Sequence, residues 1–315
     1  MQSYSVAIPT LLRPEKLATC LDFLTRIPGK KAPEKVVVAD DSTESRFVDD
    51  VEAYVERRDE IERTYADALN LEIVDLPADS GRNGKLNAGI ERTDSPHLLL
   101  LDDDTYPPSN VYELVDVLES NPDLGGVAPF LEEDGKLQCN AGDYYAKRGW
   151  MLKDSRGPKT PESTGTGSLM FRYDQIPPIG MFRRELFDEY TWDDEYVVGM
   201  ADTDFFLKHN ELDSWTFAVT PNYVVRHDPG PGTIDVYFDE RRNLRQMNES
   251  ARRLTEKFDI EGFFQVGGHL EPRRPFRDRV TRWVGLHLVP NRVLWWLKRT
   301  TLGHRIQKAA LSSYQ

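Results

Sequence analysis

Pro96-His-Leu-Leu-Leu-Leu-Asp-Asp-Asp-Thr105 decides how this chain is read. Four consecutive leucines between turn-forming residues predict a strand buried on both faces, the pattern of a central parallel strand. Three aspartates follow at its carboxyl end, where open α/β sheets place their ligand crevice. Like charges this close raise one another's pKa unless a cation or several donors compensate, so the cluster has a cost that a function explains. Asp102 and Asp104, two residues apart, can both turn toward one divalent cation. Capping of the helix expected near Ser109 accounts for one aspartate well and for three poorly.

Upstream, Ser3–Thr10 predicts a first strand ending in a proline turn, and Leu17, Leu21 and Leu24 give the next segment helical spacing. Lys35–Ala39 is a second strand running into Asp40-Asp41-Ser42, Phe47 to Leu69 a surface helix, and Leu71–Leu76 a third strand. Ser80 to Ile90 reads as a glycine-bearing loop entering a helix. The order is βαβ, so an α/β fold with a mostly parallel sheet follows, with three polar strand ends lining one crevice.

Downstream, Val111 to Leu118 predicts a helix and Gly125–Phe130 a strand. Cys139 to Ser168 is a long polar region, read as a substrate lid or as poorly ordered surface. A further unit starts at Gly180, and Ala201 to His209 opens a helix with Asp202 and Asp204 in its first turn, where acids ordinarily serve as caps. Trp215–Val219 and Tyr223–Gly230 read as two strands, the second carrying His227.

The chain has 315 residues, enough for one large domain or one domain with an extension. A net charge of −13 argues against nucleic acid as the main partner. Acids are dispersed and arginine outnumbers lysine, a composition compatible with a high-salt organism. Cys20 and Cys139 are the two cysteines, expected as reduced thiols of a cytoplasmic protein without a metal role. No charged and apolar leader precedes the first strand, and no apolar stretch is long enough to span a bilayer.

Taken together, Ile8-Pro9-Thr10 with Arg13, Val38 to Ser42, Asn83-Gly84 with Asn87-Ala-Gly89, Leu101 to Asp104, Asp202-Thr-Asp-Phe205, His227 and Arg242-Asn243 resemble family 2 glycosyltransferases of the glycosyltransferase A fold. The resemblance covers roughly residues 3 to 245, and the ordered series is more specific than any one motif in it. It implies an inverting enzyme that uses a nucleotide-sugar donor and a divalent metal, Mn²⁺ or Mg²⁺. By the same resemblance Pro9, Thr10 and Arg13 face the nucleotide, and Asp41 hydrogen-bonds its base or ribose. Arg82, Asn83 and Lys85 meet the nucleotide, and Asp103 lies beside the ribose. Asp102, Asp104 and His227 bind the metal, and Asp202 is the general base with Asp204 as alternate. One departure is Ala201, where the family usually has glutamate. With the composition, the resemblance is compatible with an archaeal, salt-adapted protein-glycosylation enzyme.

Three other classes fit the sequence less well. Nucleotidyltransferases need a glycine-rich triphosphate loop after the first strand, and Ile8 to Leu12 is the wrong sequence for one. Tyr106 stands where a phosphate-ester hydrolase motif wants a small residue. A carbohydrate-binding module predicts sugar binding without metal-dependent turnover.

The end of the chain differs from the rest. Between Pro272 and Gln315 ten basic residues face one acid, about +9, which leaves about −22 for the preceding residues out of −13 in all. Arginine interleaved with Trp283, Trp295, Trp296 and leucines predicts a segment lying on anionic lipid, or a pair of helices packed on the catalytic domain. The expected division is therefore a catalytic domain over 1–245 and a helical extension over 246–315. An interfacial tail makes the protein peripheral on the cytoplasmic face of the membrane, with a glycan or a polyprenyl or dolichol phosphate-linked glycan as acceptor.

Overall fold

The leucine run forms a strand whose residues are fully buried, Leu98 to Leu101 alternating between two hydrophobic cores. The computed structural model describes residues 2–43, 50–78, 80–155, 159–229 and 244–266, together with residues 292, 293, 296 and 300. The first half runs β1 (Tyr4–Thr10), α1 (Pro14–Thr25), β2 (Val36–Asp40), α2 (Val51–Leu69), β3 (Leu71–Asp75), α3 (Gly81–Glu91) and β4 (His97–Leu100). β1 pairs in parallel with β2 and β4, and β2 with β3, so the expected parallel sheet is present. Val6, Ile8, Leu99 and Leu101 face α1, α2 and a further helix near residue 115, whereas Ala7, Leu98 and Leu100 face the opposite layer. Burial on both faces explains why β2 and β4 read as nearly unbroken apolar runs.

Local chemistry sets the elements. Pro14 starts α1, where its missing N–H costs nothing. Asp50 caps α2 by accepting from the Ala53 amide at 3.0 Å. Pro9 lies inside β1 opposite Ala39, not in a turn as expected. The Ala7 carbonyl accepts from Leu101, and alternate residues of a strand face the same neighbour, so Pro9 faces β4 just beyond its last paired residue. Gly89 lets α3 approach β1, because a Cβ there would lie 2.8 Å from the Ala7 Cβ.

The second half runs β5 (Thr105–Tyr106), α4 (Glu113–Ser120), β6 (Leu124–Glu133), β7 (Lys136–Gln138), β8 (Asp143–Lys147), β9 (Trp150–Asp154), β10 (Glu162–Ser163), β11 (Leu169–Arg172), β12 (Gly180–Arg183), α5 (Arg184–Glu189), α6 (Ala201–Leu212), β13 (Thr216–His227), α7 (Leu244–Lys257) and β14 (Gly262–Val266). The large sheet has the order β10-β11-β13-β6-β12-β4-β1-β2-β3. β12 enters antiparallel between β4 and β6, so the leucine strand has a parallel neighbour on one side only.

Three expectations change. The polar region from Cys139 to Ser168 contains the β8–β9 hairpin and β10; Arg148 and Gly149, both with positive φ, form its tight turn. The two strands expected around Pro221 are the single strand β13, whose register slips between Thr220 and Val224. The boundary expected at 245 falls inside α7, and β14 pairs in parallel with β9, so residues 244–266 are built into the body of the fold. Arg242, Asn243 and nearly all of the basic tail lie outside the described residues. Among the described residues no helix is long and apolar enough to cross a membrane.

Candidate active site

The carboxyl ends of β1, β2 and β4 converge, and their carboxylates meet basic side chains from the following helices. Thr10 donates its hydroxyl to Asp103 at 2.8 Å. Arg13, just before α1, donates from Nε to Asp103 at 3.2 Å and from Nη1 to Asp104 at 2.6 Å, and its Nη2 also meets Asp103. One buried guanidinium thus spans two adjacent acids. Asp103 is fully buried; burial pushes its pKa up to about 6 against the opposing pull of Arg13.

The next two aspartates part company. Asp40 is fully buried and turned toward α2, accepting from Ser42 and from the Tyr54 hydroxyl at 3.0 Å; burial raises its pKa against these hydrogen bonds. Asp41 accepts from Lys85 Nζ at 2.7 Å, and the same ammonium donates to the Thr10 carbonyl at 3.0 Å. Arg82, Asn83 and Lys85 stand in the first turns of α3, not in a loop as expected, because the helix begins at Gly81. Gly81 takes a positive φ of 65°, which starts the helix directly after the turn. Asn83 is buried and donates to the Asp193 carbonyl at 2.7 Å.

Arg82 links the two sides of the crevice. Its Nε donates to Asp102 at 2.9 Å, and its Nη1 lies 3.5 Å from Asp202 at the start of α6. Gly199 and Met200 both adopt left-handed backbone before that helix, strained for methionine, and turn the first turn of α6 into the crevice. Asp204 differs from its neighbour. It is fully buried, accepting from the hydroxyls of Tyr190 and Tyr196 and pairing with Lys257 of α7 at 2.8 Å. Asp202, half-buried, lines a cavity of about 420 Å³ with Asn140, Lys153, Gln175, Met247 and Gln265.

His227 ends β13 opposite Thr105. Its Nδ1 lies 2.9 Å from Glu133 at the end of β6, and its Nε2 faces Asp104 Oδ1 across 3.8 Å, beyond hydrogen-bond reach. A proton on Nδ1, donated to Glu133, leaves the Nε2 lone pair pointing at a carboxylate, an arrangement that suits a cation between them. The donors therefore fit a divalent metal in kind. Among the described residues, however, no three acid, histidine or cysteine side chains come together as a closed metal site.

Glu133, Lys153, Asn140 and Lys257 were not expected from sequence. Glu133 closes an acidic strand end, and Lys153 follows an apolar run; neither pattern distinguishes a site residue from surface. Both cysteines are free and buried.

No curated protein matches the chain. Among solved structures, TarS of S. aureus is 17% identical over 80% of this chain, with a TM-score of 0.47, and this chain spans 40% of its length. GalNAc-T7, solved with UDP, GalNAc and Mn²⁺, is 16% identical over 83% of this chain, with a TM-score of 0.57 and 55% of its own length covered. The latter likeness is one of fold. Residues 5–191 match the model of the family described as Glycosyl transferase family 2. That match runs from β1 through the acidic strand end to the segment before α6, more than half of the chain, and on it this protein belongs to glycosyl transferase family 2.

Proposed function

We propose that this protein transfers a sugar, with inversion, from a nucleotide-sugar donor to an acceptor hydroxyl. The observation that carries the reading is the reach of Arg82 from Asp102, on the donor side, to Asp202, on the side of the 420 Å³ cavity. Donor and acceptor sites so joined put a nucleophile and a leaving group on one crevice.

The acceptor hydroxyl attacks the anomeric carbon from the face opposite the nucleoside diphosphate. The new C–O bond forms as the bond to the diphosphate breaks, and Asp202 takes the hydroxyl proton. A positioned carboxylate base contributes about 10²–10⁴-fold. Its place in the first turn of α6 keeps that carboxylate in a field that favours negative charge. Asp41, Thr10 and Asp103 would hold the nucleoside, with Lys85 and Arg13 fixing their carboxylates. Asp104 and His227 would hold a divalent cation, with Asp102 as the third ligand. Such an ion, Mn²⁺ or Mg²⁺, supplies charge for the departing diphosphate.

Nucleoside diphosphate release from a panel of UDP-, GDP- and dTDP-sugars, with Mn²⁺ and then with EDTA, tests this reading. Turnover lost with EDTA and in Asp202→Asn, with nucleotide binding kept in the variant, is expected. Turnover unchanged in Asp202→Asn would sink the assignment of the base. UDP-sugars come first, since GalNAc-T7, which shares the fold, was solved with UDP.

The basic, tryptophan-bearing tail supports a peripheral protein on the cytoplasmic membrane face acting on a lipid-linked glycan. Trp296 is 59% exposed and Val293 43%. Flotation with anionic liposomes is expected to depend on residues 272–315; flotation equal without them would remove that reading.

A further inference from the structure

Among the described residues, the cavity beside Asp202 contains a cation with no acid bound to it. Lys153 is 1% exposed, yet it lines the cavity, and its ammonium donates to Oδ1 and to the carbonyl of one residue, Asn140, at 2.8 and 3.4 Å. Among the described residues no carboxylate forms an ion pair with Lys153. Burial pushes its pKa down to about 8, against the opposing charge of Asp202. A buried ammonium answered by two neutral oxygens of one residue is costly unless something else brings the counter-charge. Around it the wall is built from groups that suit a sugar. Gln265 holds Asn140 Oδ1 at 2.8 Å, Gln175 accepts from the Tyr144 hydroxyl, and Phe263 and Met247 supply apolar surface.

We propose that this cavity is an acceptor subsite for an acidic sugar, a glycan residue bearing a carboxylate, with Lys153 as the counter-ion of that carboxylate. The inference rests on the transferase reading only in taking Asp202 as the base that meets the acceptor. The ligand is a monoanion because, among the described residues of the wall, Lys153 is the one cation without a carboxylate partner, Arg82 being drawn to Asp102. A phosphate monoester, with up to two charges, would call for more. A volume of about 420 Å³ accommodates one or two sugar rings.

Calorimetric titration of the full-length protein with methyl β-D-glucuronide and methyl β-D-glucoside, at one fixed ionic strength, tests this. The glucuronide is expected to bind at least about 10-fold more tightly, since charge-assisted hydrogen bonds are the stronger kind. Lys153→Met should bring the two sugars to parity. Gln265→Glu, which sets a carboxylate against the same Asn140, should do so without removing the lysine. Equal affinities in the parent protein, or a preference that survives both variants, would overturn the subsite. Donor turnover in the same preparations separates the two ideas. Equal sugar binding with intact turnover sinks the subsite alone, and selective binding with no turnover of any donor sinks the transferase reading while supporting the subsite.

Discussion

Arg82 is the side chain on which the geometry of the crevice depends, because it meets carboxylates from both walls. Lysine cannot reproduce a planar fork that reaches two acids at once. Arg82→Lys is therefore expected to lower kcat/KM by about 10-fold or more, with circular dichroism unchanged. Lys153 makes a different prediction, one of stability. Burial disfavours its charged form, so below pH 8 the folded state carries the full cost, which fades as pH rises to 10.5. Lys153→Met should stabilise the protein at pH 7 by up to about 3 kcal/mol, less about 1 kcal/mol for the lost hydrogen bonds. The gain should shrink between pH 8 and 10.5, as urea unfolding at several pH values would read. A gain constant across that range would contradict the assigned cause. At this scale residue type was informative for some positions and silent for others. Three aspartates after a leucine strand stand out because like charges so close oppose one another, whereas a histidine near a strand end reads by itself as structural. A lysine in β9 reads as surface, and its burial comes from parts distant in the sequence, with β14 paired beside it and Gly142 packed against its stem.

Helix α6 is fastened at both ends. Its first turns are tied to α7 through Asp204, Tyr196 and Lys257, and its last turn buries His209 among Phe205, Phe217 and Tyr190. Asp204→Ala would leave the Lys257 ammonium facing a vacated, buried site and is expected to cost about 3 kcal/mol, seen as a lower urea midpoint. His209 has its pKa pushed down to about 4 by burial. Between pH 6.5 and 4 the unfolded chain takes up a proton that the folded one refuses, so stability falls as pH drops through that window. His209→Leu should flatten that slope, and comparing midpoints at pH 7 and pH 5 checks it. Among elements, the βαβ alternation was legible because burial on both faces leaves β2 and β4 nearly free of polar residues. The β8–β9 hairpin was not legible: Arg-Gly is a weak turn signal beside Asn-Gly, and neither of its short strands alternates polar and apolar residues. β13 was split in two by Pro221-Asn222, which the fold accommodates as an irregularity within one strand.

Across the whole molecule, charge and topology set the remaining expectations. About −22 on the residues before 272 means that self-repulsion opposes the compact state, and salt screens it. Thermal midpoints should therefore rise from low salt to molar KCl; a fall across that range would count against a salt-adapted surface. The crevice was foreseeable from strand order, since three polar strand ends on one parallel sheet must open on the same side. Its other half was not, because α7 and β14 come from a stretch whose sequence marks it as an appendage. β14 pairs with β9 across more than a hundred intervening residues, and Phe263 and Gln265 on it line the cavity beside Asp202. A chain emerging from the ribosome has made β1 to β4 long before β14, and the cavity beside Asp202 waits for that last described strand to gain its wall. Until then the crevice at the strand ends stands open on that side, so the order of synthesis builds its two halves at different times.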